Sequence, residues 1–197
     1  MTAYINENTL EYPVFEGGIR AAYPDTIFPR PFIAPAGYSV VQSTSQPAIT
    51  VVQRLAEGSP EQVGESWQQT WQVVPKFTEY TGNEGVLHTV AEQEAAAIVA
   101  NTAAKNAALL REVQDKTQAR LDDFAQTHNY AGILSACTYV GSKKQKFNAE
   151  GQYAKDARDD TWSKLYEILA EVQAGTRPVP SGYAEVASEL PALVWPV

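Results

Sequence analysis

Residues 86–131 decide the architecture of this chain: VLHTVAEQEAAAIVANTAAKNAALLREVQDKTQARLDDFAQTHNYA. Neither proline nor glycine interrupts these 46 residues, and twelve of them are alanine, the strongest helix former. The stretch therefore predicts one long helix, or two that are nearly continuous. A single helix over 86–126 would be about 60 Å long, which is more than a small domain covers along its side.

The residues before this stretch have a different composition. The first 85 residues hold eight of the 12 prolines and seven of the 12 glycines, which favours short strands and turns. The β-branched segments 37–42 and 48–55 and the alternating segment 67–74 predict strands, and the last two are expected to form a hairpin. Four prolines make 23–37 extended or turn-rich, so it should not be a central strand.

The residues after Gly132 are typical of a small helical domain. The spacing of apolar residues predicts a short helix over 133–140 and a longer helix that begins near Asn148 and stops at Gly175. A further short helix is expected over 183–190, and the apolar strip 191–197, which contains Trp195, should pack back on its own domain. The sequence thus predicts an α+β protein: an N-terminal mostly-β domain over 1–85, a long helical connector over 86–127, and a C-terminal helical domain over 128–197 with a Pro-containing tail.

A thin apolar seam with a spacing near 3.5 residues runs along the long helix. It consists of Ala96, Val99, Ala103, Leu110, Val113, Thr117 and Phe124. This spacing predicts a parallel, self-associated bundle, which we expect to be a homotrimer. Asn106 and Arg120 fall on the same seam; one polar seam residue can fix the register of a bundle, whereas two weaken it. Alanine richness suits a solitary exposed helix equally well, and this alternative stays open.

The net charge and the hydropathy of the sequence limit the classes of partner that we expect this chain to bind. The chain has 15 Lys and Arg against 23 Asp and Glu, a formal net charge of -8, which argues against binding to the phosphate backbone of nucleic acid. Its only basic cluster is Lys143, Lys144 and Lys146. No run approaches the roughly 18 apolar residues of a membrane span, and the first residues lack the pattern of a secretion signal. We therefore expect no nucleic-acid partner, no membrane partner, and synthesis in a cytoplasm without sorting.

The sequence offers only weak candidates for catalysis. Ser135, His128 and the pair Asp122 and Asp123 lie close together, but no GxSxG elbow surrounds the serine, which sits in an apolar segment. Cys137 lies in a similar apolar run and is expected to be a structural thiol. One cysteine and two histidines cannot supply a four-ligand zinc site within one chain. No catalytic residue, metal ion or cofactor is therefore expected.

Two sets of residues resemble small proteins encoded in the tail-fibre region of tailed bacteriophages and prophages. The closer likeness is C-terminal and comprises Gly151, Gln152, Ala157, Arg158, Asp159, Trp162, Leu169, Val172, Gly175, Pro178, Leu190, Pro191 and Leu193. A looser N-terminal likeness comprises Tyr12, Pro13, Gly18, Ile19, Arg20, Pro24, Phe28, Pro29, Pro35, Gly37, Trp67, Trp71 and Val73. The long helix carries none of the resemblance.

The resemblance implies a virion or assembly protein without enzymatic activity, and we expect a virion structural protein, made in the bacterial host cytoplasm and located in a tail fibre. Its partners would be other tail fibre or baseplate proteins. The expectation that copies of the chain also associate, with the long helix as the stalk, rests on the residue spacing alone. One alternative is a fibre-assembly chaperone that the virion does not retain. The other is a host-glycan receptor module that uses a tyrosine-rich surface, since Trp67, Trp71 and Trp162 occupy regular core positions in the predicted elements.

Overall fold

The computed structural model describes residues 2–196 and confirms the predicted α+β layout. The chain divides into two compact units, Met1–Asn101 and Thr102–Val197. The boundary between the units falls inside the long helix. Its C-terminal half belongs to the second unit, because side chains from this half form part of that unit's core.

The first unit consists of short strands and one short helix. The elements are β1 (Ala3–Asn6), β2 (Val14–Phe15), α1 (Glu16–Ala22), β3 (Tyr38–Gln42), β4 (Gln53–Glu57), β5 (Glu61–Val63), β6 (Ser66–Gln68), β7 (Trp71–Pro75), β8 (Tyr80–Thr81) and β9 (Leu87–His88). One five-stranded sheet has the order β2-β1-β3-β6-β5, and β4-β7 and β8-β9 form two-stranded sheets. The β3–β6 pair is parallel and the other pairs are antiparallel.

The predicted hairpin is confirmed, with corrections to both strands: the first strand is Gln53–Glu57, not 48–55. β4 pairs with β7, and Leu55 lies opposite Val73. The segment predicted as one strand over 67–74 is two strands, β6 and β7, which belong to different sheets. The change of partner falls between Gln69 and Thr70: the amide of Gln69 still donates to the carbonyl of Gln42 beside β3, whereas the carbonyl of Thr70 accepts from the amide of Gly58 and its hydroxyl donates to the carbonyl of Ser59.

The proline-rich segment contains no strand between residues 23 and 37, as predicted. Its aromatic residues pack near α1, where the Arg20 guanidinium lies 5.2 Å from the ring centre of Phe28 and 5.0 Å from that of Phe32. Helix α1 itself was not predicted, because Gly17 and Gly18 are poor helix formers. Ile19 of α1 is fully buried and provides the packing that outweighs their propensity.

The long helix α2 spans Val90–Gln126 and begins with a capping box. The Thr89 hydroxyl accepts from the amide of Glu92, and the Glu92 carboxylate accepts from both the amide and the hydroxyl of Thr89. These bonds satisfy backbone donors that the first turn leaves without helical partners. The hydrogen bonds of Glu92 also hold its pKa below the ordinary value.

The second unit adds α3 (Ile133–Cys137), α4 (Gln145–Gln173) and α5 (Tyr183–Ala187). α4 begins before Asn148, whose Oδ1 accepts from the amide of Gly141 at 2.6 Å instead of capping a helix that starts there. α3 and α5 are shorter than the predicted helices over 133–140 and 183–190. Gly175, with φ +72°, follows the end of α4 as predicted, since glycine adopts this left-handed conformation without strain.

The core of the second unit lies between α2 and α4. α2 contributes Val113, Thr117, Leu121 and Ala125, spaced four apart on one face. The turn that follows α3 approaches α4 closely at Gly151, where an added Cβ would lie 2.7 Å from the amide nitrogen of Val140. Among residues 2–196, no helix is both long and apolar enough to cross a membrane.

Candidate functional site: the exposed face of the long helix

The N-terminal half of α2 buries no side chain. Every residue from Val90 to Glu112 is half-buried or exposed, although the run Ala95–Ala104 contains no charged residue. Two large apolar side chains in this run face water, Ile98 at 51% and Val99 at 68% exposure. An uncharged helix face that its own chain leaves uncovered is the most prominent candidate for a binding surface in this protein.

The structure divides the predicted seam into a free part and an occupied part. Ala96, Val99, Ala103 and Leu110 are exposed. Val113 is 3% exposed and Thr117 is fully buried, since both lie in the core of the second unit. The prediction that these two residues face another copy of the chain is therefore wrong. The remaining seam covers residues 96–110.

Phe124, the last residue of the predicted seam, also packs within its own chain. Its ring stacks on that of Trp195, with 4.4 Å between the ring centres. Trp195 also stacks on His128 at 4.5 Å and donates from Nε1 to the Thr127 hydroxyl at 2.9 Å. These contacts confirm that the C-terminal strip packs back on its own domain, and they remove Phe124 from any intermolecular seam.

The two polar residues of the seam have different environments. Arg120 Nη2 donates to the carbonyl of Pro191 at 2.7 Å, so its side chain is committed within its own chain. Asn106 is exposed, and its amide makes no hydrogen bond with any residue in 2–196. Only one polar residue therefore interrupts the free part of the seam.

Charged residues lie away from the free seam. In the heptad that places Ala96, Ala103 and Leu110 at a and Val99 and Asn106 at d, the charged residues from 93 to 112 fall at the outer b, c and f positions. They are Glu94, Lys105, Arg111 and Glu112. The flanking e and g positions are Gln93, Ala95, Ala100, Thr102, Ala107 and Leu109. Small, uncharged flanking residues allow another helix to approach closely without like-charge repulsion.

An apolar groove of about 560 Å³ adjoins the end of this face within the second unit. On the α2 side it is lined by Asn106, Leu109, Leu110 and Val113, and on the other side mainly by α4 and the segment before α5, including Tyr166, Leu169, Val172 and Val179. The sequence analysis did not find this groove. The adjacent pair Leu109 and Leu110 could have indicated the groove, because two neighbouring leucines widen the apolar face of α2 beyond a single seam.

A buried polar cluster lies elsewhere in the second unit, around Glu150. This side chain is 3% exposed, and its carboxylate accepts from the Tyr130 hydroxyl at 2.6 Å and contacts His128 Nδ1 at 2.8 Å. Burial alone would raise the pKa of Glu150, but the bonds to Tyr130 and His128 and the charge of Lys146 hold this pKa below its ordinary value. Burial and the same carboxylate raise the pKa of Tyr130 to about 12.

Two of the weak catalytic candidates, His128 and Asp122, have partners other than Ser135. His128 Nδ1 faces Glu150, while Asp122 Oδ1 accepts from the amide of Ile133 at 2.8 Å and so caps α3. Burial raises the pKa of the Cys137 thiol, which disfavours the reactive thiolate. Trp67, Trp71 and Trp162, which the sequence placed at core positions, are all half-buried.

Comparisons with protein-family models, with curated proteins and with solved structures gave no match.

Proposed function

We propose that this chain is a self-associating structural component of a bacteriophage tail fibre that links fibre or baseplate proteins through α2. The observation that best supports this proposal is the free face of α2 over residues 96–110. This face is uncharged and largely apolar, and the rest of the chain does not cover it. Burial of an exposed valine or leucine contributes roughly 1.5–3 kcal/mol when complete. Each added copy would therefore gain from covering Val99 and Leu110.

The first unit supports association because it has a small core of its own. Of the buried hydrophobic residues described, four lie in the first unit and twelve in the second, although the units are similar in length. Ile27 is 98% and Ile33 is 65% exposed in the proline-rich segment. A unit that exposes this much apolar surface and buries so few residues is expected to gain stability when neighbouring chains cover that surface.

The exposed part of the seam is too short to hold a trimer together by itself, so the first unit must also contribute to the association. Residues 96–110 span about two heptads, whereas a coiled-coil pattern is usually sustained over three or four. A trimer held by this seam alone would be marginal, because isolated short helices gain little from propensity. We therefore expect apolar surface of the first unit to make a contact of its own with neighbouring chains.

Native mass spectrometry of the full chain at micromolar concentration tests the self-association. The expected species is a trimer, and Val99→Asp should shift it to monomer because three carboxylates would be brought together in the seam. Ala108→Asp is the matched control, since the same carboxylate at an exposed outer f position of α2 should leave the trimer intact. A wild-type monomer would contradict the proposal.

The assignment to a tail fibre has a separate test. Quantitative mass spectrometry of purified phage particles should find this chain in a multiple of three or six copies per particle, counted against the major tail protein. Absence from particles would refute a virion component.

A fibre-assembly chaperone is the second candidate, and the groove beside Leu110 favours it. A chaperone binds an unfinished partner through exposed apolar surface, which this groove supplies. Absence of the chain from particles, together with its recovery bound to fibre protein in lysates, would support the chaperone over the virion component.

A further inference from the structure

We propose that the pocket beside Glu150 binds a quaternary ammonium group, the headgroup that choline and trimethylated lysine share. The pocket has a volume of about 420 Å³, and its lining includes His128, Tyr130, Tyr139, Lys146, Phe147 and Glu150. All of these residues belong to the second unit. The inference goes beyond self-association and does not depend on it, because the pocket uses no residue of the free α2 face.

Three aromatic rings stand next to one another along this pocket. The ring centres of Tyr130 and Tyr139 are 5.3 Å apart with 63° between the ring planes, and those of Tyr139 and Phe147 are 5.6 Å apart with 59°. Tyr139 is 40% and Phe147 is 42% exposed, so much of each ring is accessible to a ligand. Rings at steep angles to one another can surround a bulky cation, and their faces attract its positive charge.

The carboxylate of Glu150 adds a buried negative charge to this aromatic pocket. Burial opposes its ionisation, but the hydrogen bonds from Tyr130 and His128 hold the pKa of Glu150 below its ordinary value. A buried charge is little screened by water, so it attracts a nearby cation more strongly than an exposed carboxylate does. A quaternary ammonium group has no N–H, so it needs no hydrogen bond from oxygens that already contact Tyr130 and His128.

Lys146 already places a cation at the pocket, and it is held loosely. Its Nζ lies 3.9 Å from Glu150 Oε1, beyond hydrogen-bond distance, and its side chain is 76% exposed. An exposed lysine in such an ion pair contributes little to stability, so a ligand cation can replace it. Lys146 therefore competes with a cationic ligand, whereas it would assist an anionic one. This difference in sign makes Lys146 the most informative position for a test.

An NMR titration of the isotope-labelled full chain with choline tests the proposal. The control ligand is dimethylbutanol, the uncharged analogue in which carbon replaces the choline nitrogen. Both titrations are run at constant ionic strength and about pH 7.5, where an ordinary histidine such as His128 is mostly neutral. We expect choline to shift the amide signals of residues 127–150 and to bind about tenfold more tightly than dimethylbutanol. Equal affinities, or shifts confined to other residues, would overturn the proposal.

Two exposed residues provide variants that should fold normally. Lys146→Gln should tighten choline binding about two- to fivefold, because it removes the competing ammonium group. Phe147→Leu should weaken the binding by a similar factor, because leucine keeps apolar contact but has no aromatic face. Tyr166→Leu is the matched control, since Tyr166 is an exposed aromatic residue of α4 outside this pocket. Weaker choline binding by Lys146→Gln would overturn the assignment of a cation.

The outcomes also identify the source of the headgroup and separate this inference from the proposed function. A peptide that contains trimethyllysine is titrated in parallel with choline, and whichever binds more tightly identifies the source. Failure of both ligands to bind would overturn this inference and leave self-association standing. A monomeric wild-type chain that binds either ligand would overturn self-association and leave the pocket assigned.

Discussion

Glu150→Gln is the substitution for which the structure allows the most detailed prediction. The carboxylate is 3% exposed, accepts from the Tyr130 hydroxyl at 2.6 Å and contacts His128 Nδ1 at 2.8 Å. Glutamine has nearly the same shape and retains one acceptor for Tyr130. The variant therefore isolates the loss of charge from the loss of packing.

The expected cost at pH 7 follows from these two bonds. Charge-assisted hydrogen bonds are roughly twice as strong as neutral ones, which contribute about 0.5–1.5 kcal/mol each. Neutralising Glu150 should lower the free energy of unfolding by about 1–2 kcal/mol. Glu150→Ala should cost about 2–4 kcal/mol, because the buried Tyr130 hydroxyl would lose its acceptor and the removed side chain would leave a cavity.

The pH dependence has a definite sign. The pKa of Glu150 in the folded protein lies below its ordinary value, so its stabilising contribution is complete above the ordinary carboxyl pKa. The contribution is lost as the pH falls through the folded pKa, because the unfolded chain takes up its proton first. The difference between wild type and Glu150→Gln should be largest near pH 7 and should narrow steadily below about pH 4.5.

Urea unfolding of both proteins between pH 3 and pH 7, followed by circular dichroism, measures this difference. Glu167→Gln is the matched control on the same helix, because its carboxylate is exposed and contacts only Lys164, at 3.3 Å. The control should change the unfolding free energy by less than about 0.5 kcal/mol. A difference between wild type and Glu150→Gln that stays constant over this pH range would refute the reasoning.

Three further predictions concern stability, and urea unfolding measures each. Gly151→Ala should destabilise the second unit by about 1–3 kcal/mol, because the new Cβ would lie 2.8 Å from the carbonyl carbon of Tyr139; an unchanged midpoint would show that α3 can move away. Thr117→Val should stabilise by about 1 kcal/mol, because the Thr117 hydroxyl is buried without a hydrogen-bond partner; a loss of stability would mean that the hydroxyl is satisfied in solution. Thr89→Ala should cost about 0.5–2 kcal/mol through loss of the α2 cap, whereas Thr89→Ser should retain most of the stability.

Much of the α+β layout could be predicted because its signals are local. The Pro- and Gly-free stretch predicted α2, and its observed bounds, Val90–Gln126, lie within the predicted stretch. The second helical region, the stop at Gly175 and the β4–β7 hairpin followed from periodicity and turn residues in the same way. The split between β6 and β7 could not be predicted, because it depends on bonds from Gln69 and Thr70 to residues distant in sequence.

The candidate site could be predicted only in part. The spacing of apolar residues identified the seam, but it could not distinguish a residue that meets another chain from one that meets α4. Val113 and Thr117 have the same periodicity as Ala103 and Leu110, yet α4 covers only the first two. The groove beside Leu110 and the cluster around Glu150 each combine segments that are far apart in the chain.

The sequence by itself determined that a long uninterrupted helix joins a strand-rich part to a helical part. Helix propensity, prolines and glycines act locally, so they set where elements begin and end. Only the tertiary structure decided which half of α2 packs into the chain's own core and which half stays exposed. Burial depends on what packs against a face, and α4 covers α2 from Val113 onward while leaving the seam from Ala96 to Leu110 exposed.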